Sequence, residues 1–335
     1  MGSLLRQSWS VTLLCVLLWA PGAIAQITAG DIQGVVKDAT GSVLPGAVVT
    51  LTHLESGQSW ERTADEAGRY FLPTLPVGRY RLTAVLHGFK GVSLPDILLQ
   101  VGQQLDLPVT LQLGDQSETV IVTGGVPLLD TTSAELAEVI DSRRVEQLPI
   151  NGRQFLQLAQ LSDGVVLPPG GTRGAALEQA GALPAVLGQR SGHNIYLLDG
   201  VKVTDEYFNN LVVSPSVDAI QEFKIQKTLY PAEFGGKASA LINVVTRSGG
   251  NTLRGSAVGL FRHDAFDARG YFDDRTRPVP VLRQQQFGAS LGGPLVRDRS
   301  FVFVNYEGQR LRRALTQTFS VPSAELRAGR FSAPL

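Results

Sequence analysis

The sequence predicts a mainly β protein in three parts: a β-sandwich, a mixed α/β unit, and the first few strands of an incomplete β-barrel that crosses a membrane. Three observations lead there. With 36 Gly and 18 Pro among 335 residues, turns and strands are favoured over long helices. Apolar residues alternate with polar ones through much of the first third. After Asn251 the chain becomes weakly alternating stretches of about ten residues, the length a tilted strand needs to cross a bilayer.

The first 25 residues are expected to leave the mature chain. Arg6 precedes an apolar run from Val11 to Ala20, and Ala23-Ile24-Ala25 has the small-x-small form of an export cleavage site. The run is about half of the ~20 residues a membrane helix requires. Cys15, the sole cysteine, lies inside this leader, so the mature chain would make no disulfide; Gln26 stands where a lipoprotein would need Cys. No later segment is apolar and long enough for a membrane helix, so any crossing must use strands. Lys plus Arg and Asp plus Glu are 30 each, which gives no reason to expect a nucleic-acid partner.

From Gly30 to Leu113 strand signals recur between Gly and Pro turns, the pattern of a sandwich. In RYRLTAVLHGF, Tyr80, Leu82, Ala84 and Leu86 share one face, with Arg79, Arg81 and Thr83 on the other. In LDLPVTLQL, Leu105, Leu107, Val109, Leu111 and Leu113 alternate with polar residues, and Pro108 places the strand at an edge. The stretches GVVKDATGSVLPGAVVTLT and TADEAGRYFLPTLPVGRYRLTAVLHGFK resemble the carboxypeptidase regulatory-like domain, a transthyretin-like sandwich. Despite its name, that family implies an accessory module without catalytic residues.

Between glycines at 114 and 124–125 lies the β-forming run ETVIVT. Beyond it, Val139, Ile140 and Val145 predict a short strand and then a helix opening at Asp141 or Ser142. Phe155, Leu158 and Leu161 fit a second helix, set off by Pro149 and Asn151-Gly152. Leu167 to Arg190 reads as an exposed loop. Strands return with NIYLLDGVKV, IQEFKIQK and ASALINVVTRSG. The tail follows as LRGSAVGLFRHD, RQQQFGASLGGPL and RSFVFVNYEGQRLRR, with a long polar link before the second stretch and a short turn before the third.

An exported sandwich, a connecting strand, an α/β unit and membrane-length strands in that order resemble the TonB-dependent receptors, specifically the Oar-like group. Those receptors carry a motif of the form acid-Thr-x-x-Val-Thr just before their plug domain, and Glu118, Thr119, Val120, Ile121, Val122 and Thr123 match it. The resemblance continues through VPLLDTTSAELAEVIDSRRVEQLPINGRQFLQLAQLSDGV, RSGHNIYLLDGVKVTDEYFNN and QFGASLGGPLVRDRSFVFVNYEGQR.

It implies residence in the outer membrane, with the sandwich and plug on the periplasmic side of a barrel of about 22 strands. It also implies three partners: the inner-membrane energy donor TonB, membrane lipid and an extracellular ligand. The expected parts are 1–25 leader, 26–113 sandwich, 114–126 linker, 127–250 plug and 251–335 start of the barrel. Glu118 to Thr123 would be the strand that TonB seizes by adding it to a sheet. About three membrane-length strands fall short of the roughly eight of the smallest single-chain barrels, so a fragment of a longer receptor, forming no pore alone, is expected.

Signals of chemistry are weak. The histidines His53, His87, His193 and His263 lack helical zinc spacing. HExxH and GxGxxG motifs are missing from the sequence, and AEFGGKAS is preceded by Pro231 where a phosphate loop needs its first Gly. Asp199 and Asp205 read as turn residues rather than an acid/base pair, and Arg247 as facing either the lumen or a partner. No enzyme activity, cofactor or metal is expected. The rival readings are a surface adhesin or glycan-binding sandwich anchored by a β-rich tail, and a secreted enzyme accessory chain; neither explains the membrane-length strands.

Overall fold

The structure, a computed structural model, describes residues 28–114, 119–121, 135–148, 150–168, 183–230, 232–269, 276, 279, 281–314 and 321–330. The expected export leader, with Ala23 and Ala25, lies outside them.

Period-two alternation builds a sandwich of two sheets. One is ordered β4 (Arg69–Pro76), β1 (Ala29–Asp38), β7 (Gln104–Asp106), and β8 (Val109–Leu111) also pairs with β1. The other is ordered β3 (Ser59–Thr63), β2 (Val48–His53), β5 (Gly78–Val85), β6 (Gly91–Leu99), β9 (Thr119–Ile121). Ile32, Leu51, Leu72, Tyr80, Leu82 and Leu107 are buried between the sheets, driven there by their apolar surface. The expected strand from Leu105 to Leu113 divides at Pro108 into β7 and β8, both parallel to β1, since Pro offers no ladder donor. Leu113 departs from the alternation and is exposed, because the chain leaves β8 at Leu111 and turns.

Tyr70 and Gly34 lock the two segments together. The buried Tyr70 Oη donates to Leu107 O at 2.6 Å, and Leu107 N donates to Gln33 O at 2.7 Å. Burial pushes the Tyr70 hydroxyl pKa up. A Cβ at Gly34 would stand 2.2 Å from Leu107 O, so only glycine lets the strands approach this closely.

The α/β unit is a five-stranded sheet ordered β10 (Leu136–Asp141), β15 (Ile220–Thr228), β16 (Leu241–Thr246), β13 (Ile195–Leu198), β14 (Val201–Lys202). The helix α1 spans Ser142–Gln147 and is capped by Asp141, whose Oδ1 accepts from Arg144 N at 2.9 Å. Phe155–Leu161 is 3₁₀ rather than α, and it buries Phe155, Leu156, Leu158 and Ala159 while Leu161 faces solvent. Phe155 meets Phe223 edge-on at 5.4 Å in the core. The stretch read as an exposed loop ends in structure: Leu183 and Val186 are buried, and β12 (Ala185–Val186) pairs with β11 (Val165–Val166). Two separated apolar residues were too weak a periodic signal to reveal that hairpin.

The tail forms a three-stranded sheet ordered β17 (Arg254–His263), β18 (Leu282–Val296), β19 (Ser300–Arg313). Along β18, Phe287 and Leu291 face out while Gln286 and Ser290 are covered, and along β19 Val302, Val304 and Tyr306 share the exposed face. An exposed row carrying apolar side chains, alternating with a covered row, is the pattern of a barrel wall. A short helix, α2 (Ala324–Arg327), follows. The described chain groups into two compact units, one running to Arg254 and including Leu291–Val304, the other Gly255–Ser290 with Asn305 onward.

Candidate coupling strand and the sandwich seam

Of the six residues expected to form the coupling strand, Thr119, Val120 and Ile121 are described and form β9; Glu118, Val122 and Thr123 lie outside the described residues, as do the flanking Gly124 and Gly125. The strand joins the second sandwich sheet. It runs parallel to β6 in the register Gly91↔Thr119, Val92↔Val120, Ser93↔Ile121. Its approach is fastened to the β5–β6 turn, where Lys90 N donates to Gln112 O at 2.8 Å and Gly114 N to Gly88 O at 3.2 Å. Phe89 and Leu113 bridge between these bonds. As the last strand of its sheet β9 is an edge; Ile121 is 64% exposed and Val120 half-buried.

A second structure of functional weight is the seam between the sandwich and the α/β sheet. Along β15, Glu222, Lys224 and Gln226 share the face opposite Phe223 and Ile225, yet Glu222 and Lys224 are each only 6% exposed. The β6–β7 turn of the sandwich covers them. Val101 N donates to Glu222 Oε1 at 2.6 Å, and Lys224 Nζ donates to Gly102 O at 3.2 Å. Gly102 makes the turn possible with φ +59. Lys224 also pairs with Glu135, whose other oxygen accepts from Gln226 Nε2 at 2.6 Å. Burial raises the Glu222 carboxyl pKa to about 7, with the Asp141 charge adding, while the Val101 N–H and Lys224 oppose it.

A further clasp centres on Asn251. Its N–H donates to Glu55 O at 2.9 Å and its Nδ2 to Ser56 O at 2.8 Å, both in the β2–β3 turn. Nδ2 also donates to Asp298 Oδ1 at 2.7 Å, while Asp298 N returns a bond to Asn251 Oδ1 at 2.9 Å in the β18–β19 turn. Sequence reasoning missed Glu222, Lys224, Glu135 and Asn251. Polar residues two apart in a strand signal a solvated face, and nothing local reveals the turn that covers them.

The other candidates have structural partners. Asp199 accepts from Thr246 N at 2.8 Å and Thr246 Oγ1 at 2.7 Å; Asp205 accepts from Tyr207 N at 2.9 Å. Arg247 Nε donates to Ile220 O at 3.0 Å, and its guanidinium pairs with Glu146. His53 packs edge-on against Tyr80 at 4.9 Å. Among the described residues no group of His, Cys, Asp and Glu is placed to hold a metal.

Residues 31–112 match the carboxypeptidase regulatory-like domain, and residues 245–335 match the outer membrane beta barrel domain. The chain is 27% identical over 319 residues to the TonB-dependent transporter Oar of Myxococcus xanthus, covering 91% of this chain and 29% of that protein. It thus spans less than a third of that relative's length. Among solved structures it resembles the siderophore receptor PirA of Acinetobacter baumannii at 18% identity and TM-score 0.38, over 51% of this chain and 24% of the other. It also resembles chlorocatechol 1,2-dioxygenase of Pseudomonas putida at 13% identity and TM-score 0.21, over 25% of this chain and 60% of that one. At such scores neither likeness bears on function. The chain is therefore an outer-membrane protein homologous to the TonB-dependent transporter Oar, joining a carboxypeptidase regulatory-like domain to outer membrane β-barrel sequence.

Proposed function

We propose that this protein works as part of a TonB-dependent transporter that moves a large or scarce solute across the outer membrane at the expense of inner-membrane energy. The observation that carries the reading is the similarity to a TonB-dependent transporter running through 91% of the chain, with both domain families present. In this reading residues 26–113 are the periplasmic sandwich, 114–126 the linker, 127–250 the plug and 251 onward the barrel wall.

Glu118 to Thr123 is the handle. An extended strand offers main-chain donors and acceptors at fixed spacing, so a partner sheet can grip it without a deep pocket, and alternate side chains set the register. Ligand arrives from outside, TonB pairs with the handle and pulls, and the plug rearranges to open a path; no bond in the solute changes.

The test is cross-linking in intact cells. Single cysteines at Thr119, Val120 or Ile121, paired with cysteines in the periplasmic domain of TonB, are expected to give a disulfide-linked complex. No such complex from any of the three positions overturns the reading.

A further inference from the structure

We infer that the sandwich presents the coupling strand to the energy donor: the donor's strand adds to the outer edge of β9 and extends the sandwich sheet, leaving the β6–β9 pairing intact. This rests on the handle assignment proposed above and adds the surface on which the handle is gripped.

Four features converge. In the order β3-β2-β5-β6-β9, β6 is paired with β5 on one side and with β9 on the other, so this end of the sheet can grow only through β9. Among the described residues no strand pairs with the far edge of β9. Ile121 stands largely in solvent, where an arriving strand could cover it. The approach to β9 is fastened at Lys90 and Gly114, so the edge is held in place before any partner comes.

The physical consequence favours presentation over concealment. A free linker must give up backbone freedom when it is gripped. Here that ordering is already done for Thr119, Val120 and Ile121 by β6, and a pre-formed edge binds with less loss. A strand has two edges, and among the described residues only one is in use. The fitting partner is an extended segment with its own open edge, not a helix or a charged surface, because what β9 offers is main chain with the apolar Ile121 exposed beside it.

The test uses the intact receptor and the periplasmic domain of the donor. A Val92→Cys/Val120→Cys variant places thiols on register partners in adjacent strands, a separation a disulfide can span. Oxidised, it should bind the donor within threefold of the reduced form, or more tightly. A loss of tenfold or more on oxidation, recovered with reductant, would mean that the strand must leave β6 to be gripped, and presentation would be wrong.

The unmodified protein gives a second readout through amide exchange. Donor binding should increase protection at the β9 amide that points away from β6, one of the neighbours Val120 and Ile121, while protection at Val92 and Ser93 is kept; deprotection of Val92 and Ser93 overturns the inference. So does a receptor dimer built through β9 that the donor fails to disperse. Absence of donor binding in oxidised, reduced and unmodified protein alike strikes the handle assignment itself, whereas a loss confined to the oxidised form strikes presentation alone.

Discussion

Replacing Glu222 by Gln tests the seam between the sandwich and the α/β sheet most directly. In the folded protein the carboxyl is buried, accepts from Val101 N at 2.6 Å and has its pKa raised from 4.5 to about 7. The sign follows from linkage. Between the two values the folded state holds a proton that the unfolded state has lost, so stability is fully present below about pH 4.5 and falls as pH rises through 7. At one pK unit per 1.36 kcal/mol, the loss above pH 8 is about 3 kcal/mol.

Gln keeps an oxygen to accept from Val101 and carries no charge. The variant should therefore match the wild type near pH 4.5 and exceed it by up to about 3 kcal/mol at pH 8. Amide exchange at Val101 and along β15, read as the free energy of local opening from pH 4.5 to 8, measures this at the site. Equal pH slopes for variant and wild type would show that Glu222 does not titrate across this range, and the account of the seam would fail.

Tyr70→Phe removes the 2.6 Å bond to Leu107 O in a buried setting and should cost about 1–3 kcal/mol, measured by denaturant unfolding of the sandwich. Gly34→Ala puts a Cβ against the backbone oxygen of Leu107, which cannot swing aside, and should cost about 3 kcal/mol in the same assay. Val120→Pro takes a donor from β9 and should abolish energy-coupled uptake while ligand binding at the cell surface persists; unimpaired uptake would remove the handle from the scheme. Asn251→Ala strips the side-chain bonds to Ser56 O and Asp298 and should speed amide exchange in the β2–β3 turn at least tenfold, leaving exchange at the β1 core unchanged.

Much of this architecture was legible because its causes are local. Tyr80, Leu82 and Ala84 alternate in sequence and are buried together, and Asp141 before a helical period does cap α1. Pro108 marked an edge and splits the strand there. What was not legible depends on distant chain. Glu222 and Lys224 look like a solvated strand face until Val101 and Gly102, over 100 residues earlier, cover them. The partner of β9 was equally hidden, since it joins β6 only after the intervening chain has crossed to the opposite sheet as β7 and β8.

The parallel register of β6 and β9 also sets how the join responds to tension. Traction along the strand axis at Ile121 draws the two ribbons past one another lengthwise, so the cross-strand bonds along Gly91 to Ser93 strain in concert rather than parting singly as a zipper does. Such a joint withstands a brief tug well for its three-residue length, then yields all at once. A sideways pull would open the same three pairs in succession at far smaller force, so the direction of traction, more than the bond count, fixes the point at which this contact lets go.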